Sequence, residues 1–147
     1  MNHKLTSESK VSEFSGKTLF RIEALVDLKW AKKGEKGGWV EKTENIAGDA
    51  WVSGDAEVSG DAEVYGDARV YGNAWVYGDA RVCGDARVYG DAWVYGNARV
   101  YGDARVYGKI KLSLGCFFGL RYKKEEIKFH KLDDDYELIY KDDAKIE

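Results

Sequence analysis

A six-residue alternation of hydrophobic and polar positions fills the middle of the chain. From Gly48 to Tyr107 the frame Gly-(Asp/Asn)-Ala-x-Val-(Tyr/Ser/Cys) repeats ten times without a slip. Ala and Val stand two residues apart, so in an extended strand they point to one face, while x and the residue after Val point to the other. The Gly-Asp or Gly-Asn pair is typical of turns, because glycine reaches positive φ and the Asx side chain bonds its local backbone. Each hexad is predicted to form one short strand and one corner.

A single hexad cannot bury its own valine, so the hexads are predicted to stack into coils. Three hexads close a triangle of 18 residues, and adjacent coils then lie about 4.8 Å apart, the spacing of paired strands. The predicted fold is an all-β, triangular β-solenoid whose inward positions are the valines. This ladder runs through Val52, Val58, Val64, Val70, Val76, Val82, Val88, Val94, Val100 and Val106, and its spacing extends to Val40, Ile46, Leu112 and Phe118.

The segments on either side of the hexads are predicted to be caps, because solenoid ends expose unpaired strand edges that repeat proteins cover with atypical segments. Residues 1–16 are polar and are expected to be flexible. Residues 17–47 are expected to form an N-terminal β cap with a first irregular coil, and residues 48–119 the solenoid. Residues 120–147 are expected to form a C-terminal cap or hairpin, since hydrophobic positions alternate on both sides of the aspartate run 133–135.

Both the hexads and the segment before them resemble a known family. The lead-in consists of Thr18–Leu25 and Lys33–Lys42. With the hexads it resembles the YdcK-like β-solenoid repeat proteins of bacteria and their phages, and more broadly the hexapeptide-repeat proteins that fold as left-handed β-helices. The resemblance implies a left-handed solenoid. One departure is that Tyr usually follows the inward Val and Gly comes one position later, where the common hexapeptide motif has a small residue after the aliphatic.

Composition narrows the classes of partner. A net charge of −3, from 23 basic and 26 acidic residues, supplies no basic surplus for duplex nucleic acid. Cys83 and Cys116 lack the spacing of a metal knuckle or a disulfide scaffold, which favours a reducing compartment. Cys83 is read as an outward thiol and Cys116 as a small core residue. With no signal-peptide core and no apolar run near the ~18 residues of a membrane span, a cytoplasmic protein without a membrane partner is expected.

The residue inventory weighs against catalysis. His3 and His130 are too few for the three ligands of a zinc carbonic anhydrase, and no hexad carries the histidine base that hexapeptide-repeat acyltransferases use. The sequence therefore predicts no catalytic residue, no metal site and no cofactor. A trimeric acyltransferase-like enzyme remains the runner-up. A DNA-mimicking solenoid is a second alternative, against which the interspersed arginines and tryptophans argue.

Residues 18 apart are predicted to lie above one another, which sorts the outward side chains into three faces. Face one stacks Trp51, Arg69, Arg87 and Arg105 beside Ser53, Tyr71, Tyr89 and Tyr107. Face two stacks Glu57, Trp75, Trp93 and Lys111 beside Ser59, Tyr77, Tyr95 and Ser113. Face three stacks Glu63, Arg81 and Arg99 beside Tyr65, Cys83 and Tyr101.

Face two holds the candidate oligomer interface. Trp75, Tyr77, Trp93 and Tyr95 would form a contiguous aromatic patch, which a monomer rarely leaves in water. Aromatic residues dominate interface cores, so a homodimer or homotrimer is expected to bury this patch. A ligand-stacking platform and mutual stacking of the rings along the coils are the alternatives.

Face one holds the candidate site for an anion or a protein partner. Guanidinium groups superposed at about 4.8 Å repel one another and need a counter-charge. The first interpretation is neutralisation by the corner aspartates Asp67, Asp85 and Asp103. The second is a nucleotide-like anion or polyanion that uses arginine forks and tyrosine rings. The candidate residues are Arg69, Tyr71, Arg87, Tyr89, Arg105 and Tyr107, with Arg81 and Arg99 of face three.

The sequence thus predicts a non-catalytic binding or scaffold protein. A rigid solenoid presents side chains at fixed spacing and loses little conformational entropy on association. If the protein is phage-encoded, as the resemblance allows, binding of a host factor or sequestration of a nucleotide-like signal follows by analogy.

Overall fold

The computed structural model of the protein describes residues 2–118 and the strand segments 121–122, 127–131 and 137–141. The described part is all-β apart from a 3-10 turn at Thr43–Asn45. The strands are β1 (His3–Val11), β2 (Thr18–Ala24), β3 (Lys36–Val40), β4 (Trp51–Val52), β5 (Glu57–Val58), β6 (Glu63–Val64), β7 (Arg69–Val70), β8 (Trp75–Val76), β9 (Arg81–Val82), β10 (Arg87–Val88), β11 (Trp93–Val94), β12 (Arg99–Tyr101), β13 (Arg105–Val106), β14 (Lys111–Leu112), β15 (Cys116–Phe118), β16 (Arg121–Tyr122), β17 (Ile127–Lys131) and β18 (Glu137–Lys141).

Three parallel sheets form the sides of the solenoid, and each strand pairs with the third strand after it. One sheet runs β4-β7-β10-β13-β16, the second contains β5-β8-β11-β14, and the third is β6-β9-β12-β15. Val52, Val70, Val88 and Val106 are consecutive register partners. The predicted coil of 18 residues and the superposition of these valines are therefore confirmed.

The core is the continuous stack of hexad valines and alanines. Every valine of the ladder from Val52 to Val106 has no exposed surface, and the hexad alanines are 0–2% exposed. The extension of the ladder to Val40, Ile46 and Leu112 is confirmed, since each is buried and each lies in register with a hexad valine.

Each corner depends on its glycine. Gly84, for example, has a φ of +67°, and a Cβ at this position would lie 2.9 Å from the backbone nitrogen of Gly102 in the next coil. Residues with a side chain rarely adopt such a φ, and the neighbouring backbone leaves no room for one. The corner glycines thus let successive coils approach to strand-pairing distance.

The N-terminal segment (residues 2–47) adds three strands to the second sheet, in the order β1-β2-β3-β5. β1 and β2 are antiparallel, β2 and β3 are antiparallel, and β3 is parallel to β5. The sequence predicts a flexible segment over residues 1–16, whereas residues 3–11 form β1. The physical reason is that β2 offers an open edge to β1, and that His3 on β1 is buried while Leu5 packs against the core.

The end of the repeat departs from the prediction by one residue. Phe118 was expected on the valine ladder and Cys116 inside, but Phe117 is the register partner of Val100 and is buried. Cys116 is instead the partner of Arg99 and is exposed. The connection between β14 and β15 is residues 113–115, one residue shorter than the connection from β13 to β14 at 107–110. This shortening shifts the register of β15 by one residue and so exchanges which of its residues face inward.

The C-terminal hairpin has the predicted pairing. β17 and β18 are antiparallel, with Phe129 opposite Ile139. The aspartate run 133–135, predicted to form the turn, lies outside the described residues. In the part of the chain that the structure describes, no helix is long and apolar enough to cross a membrane.

Candidate binding faces

The outward columns stand as the 18-residue spacing predicts. Arg69, Arg87 and Arg105 are register partners on face one, Trp75 and Trp93 on face two, and Arg81 and Arg99 on face three. Two further members of these columns were not predicted from the sequence. The backbone register continues face one to Arg121 and face two to Trp39. Trp39 stands 18 residues before Glu57, so the same count could have found it.

The aromatic side chains of each column stack on one another along the rod. The ring centroids of Tyr71 and Tyr89 are 4.8 Å apart with an interplanar angle of 3°, and those of Tyr89 and Tyr107 are 4.8 Å apart at 4°. Both faces of the Tyr89 ring are therefore covered by neighbouring rings. The Arg69 guanidinium lies 4.4 Å from the ring centroid of Tyr71. Face one therefore presents mainly ring edges and hydroxyl groups, which leaves little ring surface on which a nucleobase could stack.

Face two shows the same stacking. The ring centroids of Trp75 and Trp93 are 4.9 Å apart with an interplanar angle of 12°. Those of Tyr77 and Tyr95 are 5.0 Å apart with an interplanar angle of 7°. Burial raises the pKa of Tyr77 to about 12, so its hydroxyl is neutral at ordinary pH. The Lys111 ammonium lies 4.3 Å from the centroid of the Trp93 ring. The mutual stacking that the sequence left as an alternative is thus present.

Phe14, from the turn between β1 and β2, lies on the aromatic patch of face two. Its ring centroid is 4.7 Å from that of Trp75, 4.8 Å from that of Tyr77 and 5.2 Å from that of Trp93. Ser12 shapes this turn, because its hydroxyl accepts hydrogen bonds from the backbone N–H groups of Phe14 and Ser15.

The hairpin that carries Phe14 is also held to face two by charge. Lys10 on β1 pairs with Glu57 at 3.3 Å and lies 4.8 Å from the centroid of the Trp39 ring. Part of the predicted oligomer interface is thus occupied by the chain itself. Burial of this patch by a second copy stays a prediction.

Trp30 and Lys29, in the loop between β2 and β3, lie against face one. The guanidinium groups of Arg69 and Arg87 are 5.1 Å and 4.9 Å from the centroid of the Trp30 ring. The indole N–H of Trp30 donates a 2.8 Å hydrogen bond to the backbone oxygen of Asp67. The N-terminal segment therefore covers face one as far as the coil of Arg87.

The corner aspartates do not neutralise the arginines of face one, so the first interpretation of this column is wrong. Lys29 instead lies 3.9 Å from the carboxylate of Asp67 and 3.5 Å from that of Asp85. Among residues 2–118, no ion pair involves Arg69, Arg87 or Arg105. Lys29 of the N-terminal segment thus supplies a counter-charge to Asp67 and Asp85.

Face three is the least covered of the three faces. The side chains of Glu63, Arg81 and Arg99 are exposed, and within residues 2–118 no ion pair or aromatic ring covers the two arginines. An open hollow of about 310 Å³ lies along this face and its corner, lined by Asp61, Glu63, Asp79, Arg81, Asn97 and Arg99. A hydrogen bond with Cys83 raises the pKa of Tyr65.

The structure describes the side chain of His3 but only the backbone of His130. His3 is buried, and its Nε2 lies 3.2 Å from the backbone oxygen of Thr43. Burial lowers its pKa, which favours the neutral ring. His130 lies on β17, where only the backbone is described. Within the described residues, no group of three His, Cys, Asp or Glu side chains is placed to hold a metal ion.

Fold and faces together define a class of protein: a three-sided parallel β-solenoid whose outward side chains form columns at an 18-residue spacing. Residues 62–78, 80–96 and 98–109 match the family described as the YdcK Beta solenoid repeat. The resemblance inferred from the hexads is thereby confirmed for the repeat region, which is less than half of the chain. No curated protein matches the chain.

Proposed function

We propose that this solenoid is a non-catalytic binding protein, and that its site is the Arg-Tyr strip, defined as Arg87, Tyr89, Arg105 and Tyr107 on the upper coils of face one. The observation that supports this most directly is that, among residues 2–118, Arg87 and Arg105 form no ion pair, while Lys29 engages Asp85, the corner carboxylate two residues before Arg87.

Electrostatics favours an anionic ligand at the strip. Neighbouring guanidinium groups in adjacent coils repel by about 1 kcal/mol per pair even in water. Arg87 and Arg105 are half-buried, which reduces the screening that solvent gives to a fully exposed charge. A bound anion removes this repulsion, and a guanidinium donates two parallel hydrogen bonds to a phosphate or carboxylate.

The spacing of the column favours a multivalent ligand. Arg87 and Arg105 are register partners in adjacent coils, and paired strands hold such residues about 4.8 Å apart. A chain of linked phosphates can place successive charges along such a column, so a polyphosphate or the phosphate chain of a nucleotide is the proposed ligand class.

The stacking of the tyrosines limits what a nucleobase could add. Both faces of the Tyr89 ring are covered, so the tyrosines contribute hydroxyl hydrogen bonds and not a stacking platform. Burial raises the pKa of Tyr89, which keeps that hydroxyl a hydrogen-bond donor. ATP and inorganic tripolyphosphate are therefore expected to bind with similar affinity.

Rigidity supports binding by this strip. The side chains project from strands whose valines are fully buried, so little ordering is required when the ligand arrives. The strip consists of arginines and neutral phenols, which suits it to recognition of charge more than to nucleophilic or acid–base chemistry at neutral pH.

The test is isothermal titration calorimetry with tripolyphosphate at low salt. Arg87→Gln with Arg105→Gln is expected to weaken binding at least about tenfold, because two charge-assisted contacts are lost. The matched control is Arg81→Gln with Arg99→Gln, which removes the same two side chains from face three and is expected to leave the affinity within about twofold. No binding by the wild type, or equal loss in both pairs, would overturn the proposal.

A further inference from the structure

Face three differs from the other two faces in how its charge changes along the rod. Its outward column reads Glu63, Arg81 and Arg99 from the lowest coil upward, and its corner column reads Asp61, Asp79 and Asn97. Lys42 pairs with Asp61 at 3.0 Å, so among residues 2–118 Glu63 carries the negative charge of the lower end, and Arg99 beside Asn97 makes the upper end basic. The hollow between these two columns is open to solvent.

From this pattern we infer that face three is a surface for self-association, on which a second copy of this chain binds in an antiparallel, two-fold arrangement. The inference concerns a different face from the Arg-Tyr strip and does not depend on what that strip binds.

A two-fold axis that crosses the rod at β9 places each residue opposite the residue that lies the same number of coils on the other side of β9. Glu63 then lies opposite Arg99 of the second copy, and by symmetry this pair forms twice. Glu63 and Arg99 are two coils apart, with Arg81 between them. The middle coil lies opposite itself, so that Arg81 faces Arg81 of the second copy, one like-charge contact against the two Glu63–Arg99 pairs.

The parallel alternative is disfavoured by the same charges. With both rods pointing the same way, Glu63 would lie opposite Glu63 of the second copy and Arg99 opposite Arg99. Like charges in direct opposition cost free energy and suppress the wrong arrangement. A single face that carries both charges at opposite ends is self-complementary only when the second rod is inverted.

The tyrosine column of face three has a small residue where the axis would pass. Cys83 stands between Tyr65 and Tyr101 at the middle coil, in a position that is Tyr in the other hexads from Tyr71 upward. The smaller side chain lets two middle coils approach more closely than two tyrosines would. The antiparallel arrangement thus brings Cys83 of the two copies to the centre of the contact.

The size of the face limits the strength of this contact. Three coils about 4.8 Å apart and about four residues of roughly 3.3 Å each give a flat area near 200 Å². A stable complex buries about 800 Å² per partner. Self-association through face three is therefore weak, reversible and sensitive to salt, since its specific contacts are ion pairs near solvent.

Sedimentation equilibrium with charge reversals tests the arrangement. The wild type is expected to dimerise with a dissociation constant near or below about 1 mM at low salt, and to become monomeric in about 0.5 M NaCl, where charges are screened beyond a few ångströms. Glu63→Arg or Arg99→Glu alone is expected to abolish the dimer. Both reversals on one chain are expected to restore it, because each copy then offers the exchanged charges to the other.

A crosslink tests the register. In a Cys116→Ser background, a short bismaleimide is expected to join Cys83 of two copies, and the addition of Glu63→Arg is expected to prevent this. The folded state of each variant is checked by circular dichroism. A wild type that stays monomeric at millimolar concentration, or a double reversal that folds but does not dimerise, would overturn the inference. Loss of the dimer on Trp93→Ser but not on Arg99→Glu would also overturn it, and would move the interface to face two.

Discussion

Faces one and three carry arginines at the same hexad position, yet the structure gives these arginines different surroundings. Arg69 and Arg87 on face one lie under Trp30, whereas Arg81 and Arg99 on face three are exposed. The hexads are nearly identical, so the difference comes from the N-terminal segment. The repeat fixes the position of each outward side chain. The non-repeating N-terminal segment determines which of these side chains are covered from solvent.

The three faces share one core, so the same substitution in that core should have the same effect under each face. Val82→Asp on β9 and Val88→Asp on β10 are both expected to prevent folding, because an unpaired carboxylate in the dry valine stack costs several kcal/mol, comparable to the whole stability of a domain. Circular dichroism and thermal melting measure this outcome. Arg81→Asp, an outward change next to Val82, is the control and is expected to fold. A cooperative melt of either valine variant near the wild-type temperature would show that the valines are not the core.

Removal of Trp30 should make face one resemble face three. Trp30→Ala is expected to lower the unfolding free energy by about 1–3 kcal/mol, since it removes cation–π contacts with Lys29, Arg69 and Arg87 and a hydrogen bond. It is also expected to uncover Arg69 and the strip residue Arg87, and so strengthen tripolyphosphate binding. Urea denaturation and calorimetry measure the two effects. Weaker anion binding by a folded variant would show that Trp30 contributes to the site and does not limit it.

Removal of Phe14 tests the corresponding cover on face two. Phe14→Ala is expected to cost about 1 kcal/mol in stability, as expected for aromatic pairs beyond their buried area, and to change the fluorescence of Trp75 and Trp93. Val11→Ala, at an exposed position on the same hairpin, is the matched control and should change neither. If the loss of Phe14 also creates a dimer, the predicted oligomer interface on face two would gain support.

A smaller effect should follow the protonation of His3, which anchors β1 near Thr43. Burial lowers the pKa of His3 from its usual 6.5, so the unfolded chain binds a proton more readily than the folded chain does. The contribution of His3 to stability is therefore complete above pH 6.5 and falls as the pH drops below it. Comparison of wild type and His3→Gln by urea denaturation between pH 7.5 and pH 5 isolates this term. An identical pH dependence in the two proteins would contradict it.

The features of the fold that depend on the repeat were predictable from the sequence. The 18-residue period placed Val70 above Val52 and ordered the three outward columns correctly, because a hexad has the same local chemistry wherever it recurs. The period failed where the repeat ended. One residue fewer between Leu112 and β15 moved the ladder position from Phe118 to Phe117 and left Cys116, expected inside, exposed.

The contacts of the N-terminal segment were not predictable in the same way. Phe14, Lys29 and Trp30 stand in segments without a period, and the faces they meet are set by long-range packing that no local pattern encodes. The sequence did signal that something must cover the aromatic patch and supply a counter-charge beside the arginines. It left open that the chain itself covers part of face two and pairs with the corner aspartates.

Anion binding is assigned to face one and self-association to face three. One paired comparison of variants tests this assignment most directly. Arg87→Gln with Arg105→Gln and Arg81→Gln with Arg99→Gln are each measured for tripolyphosphate binding by calorimetry and for self-association by sedimentation. The account predicts that the first pair loses anion binding and keeps the dimer, and that the second pair loses the dimer and keeps anion binding. Loss of both properties in one pair, or of neither in both, would contradict it.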